Sequence, residues 1–348
     1  MSCAVRIASP GHAQISPDGR LAALTAGGLV HVYRVDAGGL CKLAEFAGHA
    51  AAWSPDSMQL AYASGPRLLL WSLHTSHAVG AAAAPDERPI GALAWVAPDI
   101  VLVGAGLPGA RGRRPDALAT LECGERGVLA ARHLLLAWRP REGPGFAEVL
   151  RLEHRIVGIL PRSGTCPVVH VSAGGPPALW HECGVAVLRS RTDASLAPVL
   201  GQPALNQLAW SPRGHLVGAL TYAAHVAGRA PGAFSAIALQ GCAAGGASGA
   251  GDRALGGASG IECLSDWHPQ RGLAVCCAGG ELLVVDFEEA GPTPGWHVRA
   301  RVPAGAPPSG APRRAVRWVA SGRLLTLDQD GAVRQYDVPA EIPPPYVA

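Results

Sequence analysis

A short unit repeats along the chain, and repetition constrains what a chain can fold into more than any single residue does. The unit is an alternating apolar segment often ending in Trp, a Ser-Pro-Asp-like turn, a second apolar strand, another tight turn, and a third strand ending in an aromatic. Its first copy reads His12-Ala-Gln-Ile-Ser-Pro-Asp-Gly-Arg20, Leu21-Ala-Ala-Leu-Thr25, a Gly27-Gly28 turn and Leu29-Val-His-Val-Tyr33. The second reads Ala51-Ala-Trp-Ser-Pro-Asp-Ser57, Gln59-Leu-Ala-Tyr-Ala63, a Gly65-Pro66 turn and Leu68-Leu-Leu-Trp71, which places Pro55 38 residues after Pro17. Further copies begin at Ala94-Trp-Val-Ala-Pro-Asp99, Ala209-Trp-Ser-Pro-Arg-Gly214, Asp266-Trp-His-Pro-Gln-Arg-Gly272 and Arg317-Trp-Val-Ala-Ser-Gly-Arg323. A fainter copy runs through Ile156 to Gly164, Val168 to Val171 and Ala178 to Trp180.

With the faint copy there are seven units, each a meander of three or four short strands with turn signals every 8 to 12 residues, which is an all-β pattern. So small a sheet cannot bury both faces alone, whereas sheets stacked around an axis cover one another and leave only short edges. The Ser-Pro-Asp-Gly turn, the apolar strand, the Gly-containing turn and the strand ending in Trp or Tyr resemble the WD40 family, and the resemblance covers nearly the whole chain. It implies a single seven-bladed β-propeller over residues 1–339, followed by a Pro-rich tail at 340–348. The family's terminal Trp-Asp dipeptide survives here only as Tyr336-Asp337, while Tyr33, Trp71 and Trp180 keep the aromatic alone. Gly11-His12 and Gly48-His49 resemble its Gly-His dipeptide, but each lies only a few residues before a turn, with no room for a full strand between. The last unit offers strands at Ala315 to Val319, Leu324 to Asp328 and Ala332 to Val338, then enters a proline run that cannot donate ladder hydrogen bonds. Cys3 to Ala8 alternates and is spare, so it is expected to supply the missing outer strand and close the ring.

Composition supports this architecture and excludes others. At 348 residues the chain is far beyond a minimal disulfide scaffold. It holds 45 Gly and 30 Pro without a collagen triplet, which favours many short elements and tight turns. Charged residues are only 16%, too few for disorder driven by charge. The net charge of +3 is too small to imply nucleic acid by itself. Lys42 stands alone against 28 Arg, a skew that reflects coding bias more than chemistry. Nine scattered Cys, an odd number with no Cys-x-x-Cys pair, argue against a disulfide framework and for a reducing compartment. The first ten residues lack a long apolar core and no apolar run approaches the ~20 residues that span a bilayer, so an intracellular, cytoplasmic chain is expected.

Function on such a scaffold lies in the connections. Gly106 to Ala131 interrupts the third unit and carries Arg111, Arg113 and Arg114, whose guanidinium forks could grip an acidic peptide, phosphates or RNA. Tyr222 to Gly232 holds the equivalent place in the fifth unit, with His225 and Arg229. Cys242 to Gly260 is a Gly/Ala/Ser linker and Pro303 to Pro312 a stiff connector. Trp53, Trp95, Trp210, Trp267 and Trp318 recur at one repeat position, which argues packing, whereas Trp138 and Trp296 lie elsewhere and are candidates for exposed contact anchors. His12, His31, His49, His170 and His181 are each expected to be hydrogen-bonded structural residues, their spacings matching no compact metal set. Asp18, Asp56 and Asp99 belong to repeated turns, where Asp bonds its local backbone. No Gly-x-Ser-x-Gly elbow, phosphate loop or His-Glu-x-x-His motif is present.

The expectation is therefore a non-catalytic platform for other proteins, without cofactor or metal. Two alternatives stand beside it. A propeller enzyme or small-molecule binder would need at least three convergent His, Asp or Glu at the central channel. RNA or phosphoinositide binding through the arginines would weaken steeply with salt, but no aromatics interleave with Arg111 to Arg114 as stacking platforms require.

Overall fold

The computed structural model describes residues 3–6, 10–36, 39–106, 133–161, 167–172, 178–182, 184–190, 207–210, 216–219, 236–238, 253–255, 261–268, 272–277, 281–288, 295–303, 313–319, 322–328 and 331–339. Strand β1 is Cys3–Arg6. The first sheet follows as β2 (Pro10–Ile15), β3 (Leu21–Ala26), β4 (Leu29–Asp36) and β5 (Gly39–Ala47). The second is β6 (Ala50–Trp53), β7 (Gln59–Ser64), β8 (Arg67–Ser72) and β9 (Ala78–Ala83). The third is β10 (Ile90–Ala97), β11 (Ile100–Ala105), β12 (His133–Trp138) and β13 (Phe146–Leu152). All three are antiparallel meanders in chain order.

The fourth sheet departs from the meander. It contains β14 (Ile156–Leu160), β15 (Val168–Ser172), β16 (Ala178–Glu182) and β17 (Val185–Ser190), ordered β14-β15-β17-β16, with β15 and β17 parallel. The faint repeat's third strand, expected at Ala178 to Trp180, is thus displaced to the edge. An interior strand must be apolar on both faces: Val185, Ala186, Val187 and Leu188 are all buried, whereas β16 ends in His181 and Glu182. Next come two strand pairs, β18 (Gln207–Trp210) with β19 (Leu216–Ala219) and β20 (Ala236–Ala238) with β21 (Arg253–Leu255). A further meander is β22 (Ile261–His268), β23 (Gly272–Cys277), β24 (Leu282–Glu288) and β25 (Gly295–Val302).

The closing sheet combines β26 (Arg313–Trp318), β27 (Leu324–Asp328) and β28 (Ala332–Tyr336) with β1, in the order β1-β28-β27-β26. Strand β1 runs antiparallel to β28, with Cys3 opposite Arg334 and Arg6 opposite Ala332. The N-terminal strand therefore completes the last sheet, as its alternation and the proline run predicted. Innermost strands of neighbouring sheets touch from β2 through β6 and β10 to β14, and from β18 through β22 and β26 back to β2.

The cores lie between sheets. In four of the sheets one transverse row joins the end of the innermost strand to the start of the second and the end of the third. These rows are Ile15–Ala22–Tyr33, Trp53–Leu60–Trp71, Trp95–Val101–Trp138 and Trp318–Leu324–Tyr336. The second, third and closing rows pack on the sheet before them, and the Ala22–Tyr33 end of the first packs on the closing sheet. Trp95 donates from Nε1 to Ala52 O at 3.2 Å and Trp318 to Gly272 O at 3.2 Å, each reaching the preceding sheet. Burying such side chains contributes about 1.5–3 kcal/mol each. Small residues let the sheets approach: a Cβ on Gly104 would lie 2.8 Å from Ile156 Cγ2 of the next sheet. Outer strands β5 and β9 are largely exposed and β13 partly so.

Candidate docking face

An antiparallel meander has two ends, and here they differ in chemistry. At one end lie the Ser-Pro-Asp turns. Ser16 Oγ donates to Asp18 Oδ1 at 2.5 Å and accepts the Leu21 N–H at 2.9 Å, while Asp18 Oδ1 accepts the Arg20 N–H at 3.1 Å. Ser54, Asp56, Met58 and Gln59 repeat this, with Ser54 Oγ to Asp56 Oδ1 at 2.5 Å and Gln59 N to Ser54 Oγ at 2.9 Å. The Ser54 hydroxyl is the main cause that holds the Asp56 carboxyl below its usual range. Ser57, at φ 63°, takes the place of Gly19, at φ 70°, and its Oγ accepts the Asp18 N–H at 3.0 Å, tying one sheet's turn to the next. Asp99 in the third sheet pairs instead with Arg139 at 3.2 Å. Asp18 and Asp56 are thus engaged in holding turns.

The opposite end collects the connections from second to third strand and from one sheet to the next. Gly48 N–H donates to Gly28 O at 2.8 Å and His49 N–H to Ala63 O at 2.9 Å. His49 Nε2 donates to Ile90 O at 2.5 Å, so one imidazole links the first connection to the start of the third sheet. Gly48 is needed there, since a Cβ would sit 2.9 Å from Ala63 O. A tight turn at Pro85–Glu87, with Asp86 and Glu87 exposed and both at positive φ, carries the chain into β10. Gly106 N–H, the last described residue before the insertion, donates to Pro89 O at 3.0 Å. Gly106 and His133 thus bracket residues 107–132 on a framework of backbone hydrogen bonds.

Arg111, Arg113, Arg114, His225 and Arg229 lie outside the described residues. Of the strands that flank them, β11 leaves toward this same end, and β19 matches β11 in register, Trp210 facing Leu216 as Trp95 faces Val101. Trp296 sits on β25 opposite Phe287, its side chain outside the described residues. Trp138 is corrected. It is 1% exposed, donates from Nε1 to Gly143 O at 2.8 Å, and fills the aromatic position of the third sheet at the end opposite 107–132, so it is a packing residue and not a contact anchor. Its equivalence was written in His133-Leu-Leu-Leu-Ala-Trp138 beside Leu68-Leu-Leu-Trp71; the insertion had hidden the spacing.

Three features had no signal in the sequence. Half-buried Arg317 on innermost β26 donates from Nε to Ala13 O at 3.1 Å and from Nη1 to Leu264 O at 3.1 Å, stitching the inner strands β2, β26 and β22. Edge strands carry unpaired carbonyls, and an Arg fork can reach two neighbours at once. Asp328 and Arg334 form an ion pair buried between β27 and β28. His170 on β15 is buried, and desolvation lowers its pKa to about 4, so it is neutral in the fold. Among the described residues no group of three or more His, Cys, Asp or Glu could hold a metal ion, and no helix is long and apolar enough to cross a membrane.

No family model and no curated protein matches the chain in sequence. Solved structures do match in shape. The RRP9 WD40 repeats align with a TM-score of 0.61 at 12% identity, covering 97% of this chain and 96% of that one. The Myceliophteria thermophila Cps50 (Swd1) β-propeller domain aligns at 0.60 and 10% identity, covering 95% and 97%. The fold is a WD40 β-propeller. A chain of the Mitotic Checkpoint Complex aligns at 0.58 and 12% identity, covering 95% of this chain and 92% of that one. At these identities the WD40 architecture is shared while side chains are not, so this propeller's site rests on its own residues.

Proposed function

We propose that this propeller is a non-catalytic platform for protein partners, with β18–β21 forming one blade of seven and the docking face at the end where Gly106 to Ala131 and Tyr222 to Gly232 attach. The observation that carries the reading is the asymmetry of the two ends: Ser-Pro-Asp turns seal one, while the connections at the other are anchored on rigid backbone hydrogen bonds at Gly48, His49, Ile90 and Gly106. A scaffold that fixes the roots of its loops reduces the ordering cost when a partner docks. Arg111, Arg113 and Arg114 would supply charge-assisted bonds to acidic partner segments, with His225 and Arg229 on the equivalent connection two blades along. Trp296 remains a second contact candidate. The presence of one matching propeller within the Mitotic Checkpoint Complex supports an assembly role.

Replacing residues 107–132 with a short Gly-Ser linker and comparing affinity capture by quantitative mass spectrometry tests this. The expected result is loss of a defined set of partners with an unchanged melting temperature. Retention of every partner overturns the assignment of the face.

A further inference from the structure

Cys263 on β22 and Cys276 on β23 are register partners, directly opposite each other on adjacent antiparallel strands. Both are fully buried and both belong to the core between the β22–β25 sheet and the closing sheet, so the two Sγ atoms project from one face of the pair. Directly opposed residues on one sheet face have Cα atoms about 4.5–5.5 Å apart, inside the range a disulfide spans. Neither forms a disulfide in this structure. The pairing shifts register between Ile261 and Cys263 and again between Leu264 and Trp267, so Cys263 lies between two irregularities where the ladder is locally weakened. Cys277 is the next and last residue of the strand. Exposed Cys41 on β5 is the contrasting thiol, with no cysteine opposite it.

We propose that Cys263 and Cys276 form a reversible thiol–disulfide site, oxidised by hydrogen peroxide as the small oxidant able to enter a buried pair. One thiolate attacks a peroxide oxygen, giving a sulfenic acid and releasing hydroxide, which takes up a proton to become water. The opposing sulfur then attacks the sulfenic sulfur, forms the S–S bond and expels a second water. The protein loses two protons and two electrons, and the peroxide is reduced to two waters. The bond clamps the innermost strand of this sheet to its neighbour at the residue next to Leu264, whose carbonyl anchors Arg317.

The full chain, reduced and then exposed to graded peroxide in its folded state, is digested without reductant and mapped. The expected product is one peptide pair joining Cys263 to Cys276, lost on treatment with dithiothreitol, retained in Cys277→Ala and absent in Cys276→Ala. The linked chain should melt roughly 4 °C above the reduced one, from closure of a short loop in a chain of this size. Recovery of both thiols unlinked, their conversion to sulfinic acid without linkage, or linkage through Cys277 overturns the site. A linked chain that melts below the reduced one would show that the register must distort to form the bond, and would equally overturn it. Should an Ala variant fail to fold, the peptide map of the unaltered chain decides.

Discussion

Replacing Trp138 with Ala separates a packing role from a docking role. The indole is 1% exposed, its ring centroid lies 6.5 Å from that of Phe146, and Cη2 lies 3.4 Å from where a Cβ on Gly80 would be. It therefore fills the gap between the second and third sheets, and Gly80 is small because the ring passes over it. Truncating a buried Trp costs about 3–5 kcal/mol, part of it the bond to Gly143 O. For a chain of this length that is a fall in Tm of about 4–7 °C. Trp138→Phe keeps most of the packing and loses the N–H donor, at about 1–2 kcal/mol. Urea unfolding followed by far-UV circular dichroism reads this as a lower midpoint with an unchanged slope. Partner capture below the transition should be unaffected in both variants. An unchanged midpoint accompanied by lost capture would refute the packing assignment.

Gly104→Ala should destabilise by about 1–3 kcal/mol, because the added Cβ meets Ile156 Cγ2 and Cβ at 2.8 and 2.9 Å; Ile156→Ala should cost less in that background than alone, measured as a double-mutant cycle. His170 titrates near 4 in the fold and near 6.5 unfolded. The unfolded chain therefore binds the proton first, and stability present above pH 6.5 is lost as pH falls toward 4, by about 3 kcal/mol in all. The carboxyls of Asp56 and Glu45 lie below their usual values, so their loss comes at lower pH. Replacing His170 with Gln should flatten the slope of stability against pH between 6.5 and 4.5, and an unaltered slope would remove His170 as its cause.

The repeated turns made most of the architecture legible. Serine, proline and aspartate at fixed offsets specify one local hydrogen-bond pattern, and Ser16–Asp18 and Ser54–Asp56 form it with nearly identical distances. Closure by the N-terminal strand was legible because alternation in a spare segment met an unpaired edge followed by prolines. The fourth sheet was not, since choosing between Ala178–Glu182 and Val185–Ser190 for the interior place depends on burial across neighbouring sheets. Trp138 was misplaced because the inserted segment broke the spacing that identified its equivalents. Arg317 and the Asp328–Arg334 pair depend on strands far apart in the chain, a proximity that local patterning does not encode.

Hydrogen exchange at Ala332–Tyr336, compared between the full chain and a variant lacking residues 1–9, probes whether the circle of sheets is fastened by its first strand. Strand β28 is an interior strand only while β1 covers it, so removing β1 should release the β28 amides to fast exchange and lower Tm. Equal protection and an equal Tm in the two chains would contradict closure by β1.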